Sequence, residues 1–174
     1  MSQNEVRLMS FRIKLALVLL LVTPLAFSLP QDRNETMRLQ ADSADLDQQS
    51  HQGLYIGDVQ FDQGETQLSA AKAITEGNEK NQLTQATIEG NKKSQAHYWT
   101  LTALDKPPLH AYADVIHYYP DRHLIQLIGH ARVQQGNDSF AAPEISYDTE
   151  RQHVMSKTDG KTRTTIIIHP GKTS

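Results

Sequence analysis

Histidine side chains are the groups in this sequence best suited to acid–base chemistry or to binding a transition metal. The chain has eight of them, and no two form the His-Glu-x-x-His pattern that puts two imidazoles on one helix face. A Gly-x-Ser-x-Gly turn, a glycine-rich phosphate loop and cysteine are absent from the sequence as well. The sequence therefore predicts no catalytic residues, no metal site, no cofactor and no enzyme, and it favours surface loops for His51 and His123.

Two aspartates, Asp42 and Asp114, are the next candidates, because a pair of carboxylates can divide the roles of general acid and general base. Each of them follows an alanine, and they lie 72 residues apart. The same side chains could instead tether a turn or accept backbone hydrogen bonds at the end of a strand. The sequence favours the structural role and leaves the catalytic one open.

The spacing of the two aspartates belongs to an internal repeat, in which the segment from Leu39 to Thr75 aligns with the chain 72 residues later. Eight of the 37 aligned pairs are identical, where chance predicts about two. Beyond Thr75 the alignment slips by two residues, so that Glu89-Gly90 matches Asp159-Gly160. A duplicated unit that cannot bury its apolar face alone stacks on its copy. The identical residues of the first copy are Ala41, Asp42, His51, Ile56, Gly57, Gln63, Gly64 and Ala70.

Apolar and polar residues alternate along much of the repeat, which is typical of half-buried β-strands. Val59 and Phe61 share one parity, Ala131 and Val133 repeat it, and a β-branched run at 164–168 ends the pattern. Many short strands without crossover helices predict an all-β antiparallel sandwich or jellyroll. The turns that separate the strands contain Gly, Asn, Pro or Asp: Gln63-Gly64, Gly77-Asn78, Gly90-Asn91, Pro120-Asp121, Gly136-Asn137 and Asp159-Gly160.

Residues 1–28 have the layout of a cleavable secretory signal, with a basic start, the apolar run Leu15–Val22 and a cut after Ser28. An uncleaved anchor is the alternative, because the run Ile13–Phe27 could just span a thin bilayer. Residues 29–36 are polar and are predicted to form a flexible leader. Removal of the signal, which has three basic residues and one acid, changes the net charge from −3 to −5, and a mildly acidic mature protein argues against nucleic acid as a partner. The sequence thus predicts an exported protein.

The apolar face of the predicted strands is the remaining candidate for a site. In a closed sandwich this face is ordinary core, whereas in an open one it could hold an alkyl chain, which gains about 0.8 kcal/mol per buried CH₂. Periodicity does not separate the two cases, and the residues alone favour core.

A series of short motifs in both copies carries a family resemblance. The motifs occur in the order Met37-Arg38-Leu39-Gln40-Ala41-Asp42, Ile56-Gly57-Asp58-Val59, Ala113-Asp114, Ile128-Gly129-His130-Ala131 and Lys161-Thr162-Arg163-Thr164-Thr165. In this order and spacing the chain resembles the LptA family of periplasmic lipopolysaccharide-transport bridge proteins, also called the OstA-like domain family. The likeness spans residues 37–170 and leaves residues 171–174 as a tail. Ala71 departs from the family, which often has Asp at that position.

The resemblance implies a twisted antiparallel β-jellyroll, an open V-shaped sandwich built from the repeat. Its apolar interior would bind the acyl chains of lipopolysaccharide and pass the lipid from the inner to the outer membrane without catalysis, in the periplasm. The implied partners, besides lipopolysaccharide, meet the two edges of the domain. An inner-membrane-anchored jellyroll protein would pair with the N-terminal strand Met37–Ala41, and the outer-membrane translocon or a further copy, joined head to tail, would pair with Thr164–His169.

The resemblance also implies which side chains face the lipid, and alternation and the repeat extend that set. The family's positions match Met37, Leu39, Tyr98 and Tyr118 here, and the pattern adds Val59, Phe61, Leu68, Val133 and Phe140. Plain core is the alternative for each of them. Two other functions stay open, namely the membrane-anchored jellyroll partner of the same export system and a periplasmic carbohydrate-binding sandwich. The single tryptophan, Trp99, speaks against the latter, because sugar sites rely on aromatic stacking.

Overall fold

The fold consists almost entirely of β-strands. A computed structural model describes residues 35–80, 82–148, 150–151 and 153–170, so the predicted signal, most of the leader and the tail lie outside the described residues. The described residues contain no α-helix and therefore no helix that is long and apolar enough to cross a membrane. The strands are β1 (Arg38–Gln40), β2 (Ser43–Asp47), β3 (Gln52–Gln63), β4 (Thr66–Gly77), β5 (Leu83–Glu89), β6 (Ala96–Thr100), β7 (Leu109–Ala113), β8 (Val115–Tyr119), β9 (Leu124–Gln135), β10 (Asp138–Asp148), β11 (His153–Lys157) and β12 (Thr165–Ile167).

Two equivalent halves of six strands each make up the fold, which confirms the predicted repeat. In the first half β1 and β2 both pair with β3, and in the second half β7 and β8 both pair with β9. The register is the same in both, because Leu39 lies opposite Phe61 and Ala111 lies opposite Val133. The turns at Gly64 and Gly136 connect the long hairpins β3–β4 and β9–β10.

A bulge bends each long inner strand near its middle. In β3 the consecutive residues Gly57 and Asp58 have φ of 81° and 40°, and the register with β4 shifts at this point. In β9, Gly129 and His130 have φ of 78° and 47°, with the same shift against β10. A bulge increases the local bend and twist of a strand. Each long strand therefore contributes its two halves to two different layers.

The repeated aspartates fasten these bulges. The backbone N–H of Asp42 donates to Gly57 O at 2.8 Å, and that of Asp114 donates to Gly129 O at 2.9 Å. A Cβ on either glycine would overlap the carboxylate of its aspartate. Both aspartates therefore have a structural position at the bulges, although these hydrogen bonds come from their backbone N–H groups and not from the carboxylates that were expected to accept them. The acid–base pair is not formed, since four strand spacings separate the two bulges, roughly 19 Å in a sheet.

The two layers enclose one apolar core. The first layer contains β1, β6, β7 and β12, and the second contains β2, β5, β8 and β11; β3, β4, β9 and β10 belong to both. This arrangement is the twisted antiparallel jellyroll that was predicted. The predicted edge strands are shorter than expected, since β1 and β12 cover only three residues each. The buried residues of the core are Ala86, Ile88, Ala96, Leu109, Ala111, Ala113, Ile116, Leu127, Ala131, Ala142 and Ile145.

The later part of the repeat has an offset of 68, so the predicted slip of two residues was wrong. Lys72 lies opposite Glu89, and Glu144 lies opposite Lys157, so Glu89 corresponds to Lys157. Both pairs form ion pairs with the charges exchanged, at 3.4 and 3.0 Å. Residue identity does not reveal this register, because the turn between β4 and β5 has five residues and the turn between β10 and β11 has four.

The bulge geometry predicts that Gly129→Ala destabilises the fold more than an alanine at another left-handed glycine. A Cβ at Gly129 would lie 2.8 Å from Asp114 Cγ in addition to straining φ, whereas nothing lies within 4 Å of a Cβ at Gly160, where φ is 83°. We expect Gly129→Ala to lower the free energy of unfolding by about 2–3 kcal/mol and Gly160→Ala by about 1 kcal/mol. Urea unfolding followed by circular dichroism measures both. Equal losses would contradict the tether.

Candidate functional site

A continuous row of apolar side chains crosses the first layer from one end of the protein to the other. Neighbouring members lie directly opposite each other in adjacent antiparallel strands, so they point to the same face. Seven strand spacings of about 4.8 Å make the row roughly 34 Å long. This apolar row consists of Leu39, Phe61, Leu68, Tyr98, Ala111, Val133, Phe140 and Ile166.

The apolar row faces the interior between the two layers. Ala111, near its middle, is 1% exposed and belongs to the core. Leu68, Tyr98, Val133 and Phe140 are partly buried and pack against that core. Six of the nine residues predicted to face lipid therefore lie in one line. Their side chains form the wall of an apolar interior that is only partly filled.

The other three predicted residues lie elsewhere. Val59 is 0% exposed and is fully enclosed in the interior, two residues before Phe61 in β3. Met37 precedes β1 and is 64% exposed. Tyr118 belongs to β8 in the second layer, opposite Ala86 and Ile125, and is 38% exposed. The fold thus places Tyr98 and Tyr118 in different layers and leaves Val59 without an exposed surface.

An apolar cavity of about 60 Å³ lies between the layers in the C-terminal half. Val133 and Phe140 line it from the first layer, and Ile125, Tyr147 and Val154 line it from the second. Burial, and secondarily the charge of the neighbouring Asp148, raises the pKa of the Tyr147 phenol. The phenol is therefore neutral at physiological pH, and this part of the interior carries no charge.

Sequence reasoning missed several residues of this interior. Ala111 was overlooked because it is small, although the repeat equates it with Leu39. Ile166 was assigned only to an edge, although it lies opposite Phe140 and ends the apolar row. Tyr147 aligns with the polar Thr75, and the wrong offset of 70 aligned Val154 with Thr84 instead of with Ala86, so the repeat gave no usable signal for either residue.

The outer face of the same strands has a different character. The His97 ring stacks on Tyr112 at 4.3 Å, and the Arg132 guanidinium lies 4.6 Å from the centre of the Tyr112 ring. His97 Nε2 and His110 Nδ1 are 3.0 Å apart and share a hydrogen bond. Burial, followed by the positive charges nearby, lowers the pKa of both histidines. Within the described residues, no three His, Cys, Asp or Glu side chains are grouped closely enough to hold a metal ion.

This stack predicts a loss of stability in mild acid. The pKa of His97 is lower in the folded chain than its ordinary value of 6.5, so the unfolded chain binds the proton first. The contribution of neutral His97 to the free energy of unfolding is therefore complete above pH 6.5. It is lost as the pH falls from 6.5 toward the lower pKa that His97 has in the folded chain. Urea unfolding at about pH 7.5 and about pH 5 should show a smaller decrease for His97→Gln than for the wild type. His153→Gln, at an exposed position of β11, is the matched control and should behave as the wild type does.

One family model and two related sequences match this chain, and their descriptions agree with one another. Residues 38–153 match the family model of the LptA/(LptD N-terminal domain) LPS transport proteins. The lipopolysaccharide export system protein LptH of Pseudomonas aeruginosa is 32% identical over 155 residues, which is 85% of this chain and 87% of that protein. The lipopolysaccharide export system protein LptA of Haemophilus influenzae is 24% identical over 168 residues, 95% of each chain.

A solved structure matches the fold. It is the crystal structure of LptH, the LptA homologous periplasmic component of the conserved lipopolysaccharide transport device from Pseudomonas aeruginosa. The TM-score is 0.70 at 32% identity, and the match covers 81% of this chain and 100% of the other.

Proposed function

Because this chain belongs to the family of LptA/(LptD N-terminal domain) LPS transport proteins, we propose that it carries lipopolysaccharide through the periplasm in its apolar interior. The proposed role is that of a non-enzymatic bridge from the inner to the outer membrane. The observation that supports it best is the apolar row, which extends over the whole molecule without a charged side chain.

The dimensions of the apolar row suit a lipid chain. Acyl chains gain about 0.8 kcal/mol for each CH₂ that leaves water, and a row roughly 34 Å long offers such burial at every strand. The residues of the row at β1 and β3, Leu39 and Phe61, are only half-buried, and Ile166 in β12 is 62% exposed. A closed core would bury these side chains; their partial exposure favours a slot that an acyl chain completes.

We further propose that copies of the chain join head to tail through their sheet edges. Within the chain the two halves are joined by β5 pairing with β8 and by β6 pairing with β7. By the repeat, β11 and β12 correspond to β5 and β6, and β2 and β1 correspond to β8 and β7. In the described part of the chain β11 and β12 pair on one side only, as do β1 and β2. Open edges of this kind are a liability unless another chain pairs with them.

Inside the chain the two halves meet at the internal junction, where β5 pairs with β8 and β6 pairs with β7. This junction predicts the register of the joint, which is the proposed pairing between the C-terminal edge of one copy and the N-terminal edge of the next. Tyr98 lies opposite Ala111 there, and the repeat offsets convert this pair into Ile166 of one copy opposite Leu39 of the next. The same conversion puts Ile168 opposite Met37. All four residues except Leu39 are more than 60% exposed in the single chain. Their pairing would bury them and would continue the apolar row from one copy into the next.

The other partners follow from the same edges. The inner-membrane-anchored jellyroll partner would pair with β1 and β2, and the outer-membrane translocon would pair with β11 and β12. The predicted signal at residues 1–28, with cleavage after Ser28, would deliver the protein to the periplasm as a chain that begins at Leu29. Retention of that segment would instead make it the anchored partner of the same system.

Photo-crosslinking in cells tests the lipid slot. A photoreactive phenylalanine at Tyr98 should capture lipopolysaccharide, because this side chain points into the interior from β6. The same substitution at Tyr112 is the matched control, since this tyrosine points outward from the neighbouring strand β7 and stacks on His97. Tyr118 and Leu39 are further positions at which capture is expected. The adduct is detected by lipopolysaccharide immunoblotting.

Two outcomes of this experiment would contradict the proposal. Failure to capture lipopolysaccharide at Tyr98, Tyr118 and Leu39 would rule out the interior as its path. Equal capture at Tyr112 would mean that the lipid contacts the outer face.

The mass of the crosslinked chain also reports the N-terminus, where a start at Leu29 supports cleavage and an intact start supports the anchored alternative.

Engineered disulfides test the joint. The chain has no cysteine, so Leu39→Cys and Ile166→Cys introduce the sole reactive pair. Directly opposed residues of antiparallel strands lie about 4.5–5.5 Å apart at Cα, within the range that a disulfide bridges. We expect a ladder of covalent oligomers on non-reducing gels of the oxidised double variant.

The control pairs Leu39→Cys with Ile167→Cys, one residue away and on the opposite face of β12. This variant should yield few covalent oligomers under the same conditions. Similar yields from both variants would contradict the proposed register, and the absence of oligomers from both would contradict head-to-tail joining.

A further inference from the structure

Three polar residues make hydrogen bonds at the margin of the internal junction. The residues that correspond to them at the two end strands of the chain differ from them in charge. At the junction Gln95 Nε2 donates to Asp114 Oδ1 and to His130 O, each at 3.2 Å. His130 Nδ1 lies 2.8 Å from Asp114 Oδ2. These three residues connect the loop before β6 in the first half with the bulge of β9 in the second.

Arg163 occupies the position of Gln95 at the C-terminal end. The loops before β6 and β12 are built alike, since Asn91 Oδ1 accepts hydrogen bonds from the N–H groups two and three residues later, at 2.8 and 3.0 Å. Asp159 Oδ1 accepts the same two bonds, at 2.8 and 2.7 Å. The offset of 68 that relates these loops takes Gln95 to Arg163. A neutral donor inside the chain is thus replaced by a cation at its end.

The N-terminal end carries the opposite change. Asp42 corresponds to Asp114, and Asp58, with φ of 40°, corresponds to His130, with φ of 47°. The first bulge therefore presents two carboxylates where the second has one carboxylate and its histidine. Asp58 Oδ1 accepts a hydrogen bond from Gln60 Nε2 at 2.8 Å. None of the ion pairs found among the described residues includes these two acids.

We propose that Arg163 of one copy binds Asp42 and Asp58 of the next, and that this charge pair sets the direction and register of the joint. The inference rests on the head-to-tail association proposed above and identifies the residues that select the partner edge. A joint between two N-terminal ends would bring four carboxylates together, and one between two C-terminal ends would bring two arginines together. Like charges at an interface disfavour the wrong pairing, and exposed opposite charges contribute more to selectivity than to affinity.

The bidentate guanidinium of Arg163 suits this place better than a lysine would. A guanidinium presents parallel N–H donors to carboxylate oxygens, so it can replace both the amide of Gln95 and the imidazole of His130. The contact lies at the margin of the joint, since the side chains of His130 and Asp114 are 86% and 48% exposed at the internal one. Salt should therefore weaken it.

Sedimentation velocity of the mature full chain tests the pair. Arg163→Glu should weaken self-association by about tenfold, because it places a third carboxylate beside two others. Arg163→Gln is the matched control, since it installs the side chain that Gln95 supplies at the internal junction. It should weaken association by less than about threefold and should remove most of its dependence on salt.

A charge exchange provides the rescue. Asp58→Lys alone should weaken association as Arg163→Glu does, and the double variant Asp58→Lys/Arg163→Glu should recover most of the loss. If lysine is not tolerated at this left-handed position, Asp58→Asn keeps the backbone preference and removes one charge. Asp58→Asn should then weaken association by about twofold to threefold.

The outcomes distinguish failure of the charge pair from failure of the head-to-tail joint. Unchanged association and unchanged salt dependence of Arg163→Glu, with the Leu39–Ile166 disulfide still forming, would overturn the charge pair and leave the joint intact. A wild-type chain that stays monomeric at every concentration and forms no such disulfide would overturn both.

Discussion

The structure depends on one contact, made twice, in which an aspartate at the start of a strand packs against a left-handed glycine in the middle of the next. Asp42 meets Gly57, and Asp114 meets Gly129, with no room for a Cβ between them. The bulge that results lets a twelve-residue strand leave one layer and enter the other. Because of these bends β3 and β9 connect the two layers that enclose the interior.

The repeat explains both the interior and the open edges. Each half has a pair of strands that begins it and a pair that ends it, and the ending pair of the first half joins the beginning pair of the second. The apolar row crosses this junction without interruption, from Tyr98 to Ala111. The two outermost pairs keep the same geometry but lack a neighbour within the described chain. A protein of this design uses one kind of contact within a chain and, as proposed, between chains.

Much of the site was predictable because the signals that reveal it are local. A strand alternates its faces with period two, so alternation and the repeat extended the positions implied by the family resemblance to Phe61, Leu68, Val133 and Phe140. Alternation does not distinguish a fully buried side chain from one that lines an open interior, so it predicts the same position for Val59, which has no exposed surface, as for Phe61. It also could not find the correct offset beyond Thr75, because a turn of different length leaves no trace in residue identity. A structural role of the aspartates was predicted, but their contact with the bulge glycines and the backbone hydrogen bonds that they donate were not.

The sequence by itself determined the all-β class, the duplication, the places of the turns and the inward face of most strands, since each of these follows from residues that are neighbours in the chain. Only the tertiary structure decided which strands lie side by side, and with them the apolar row, the separate layers of Tyr98 and Tyr118, and the edges that remain open. Strand pairing joins residues far apart in sequence, so alternation is compatible with many pairings. In the observed pairing the bulges bend the long strands from one layer into the other, so that both layers bury their apolar faces against each other.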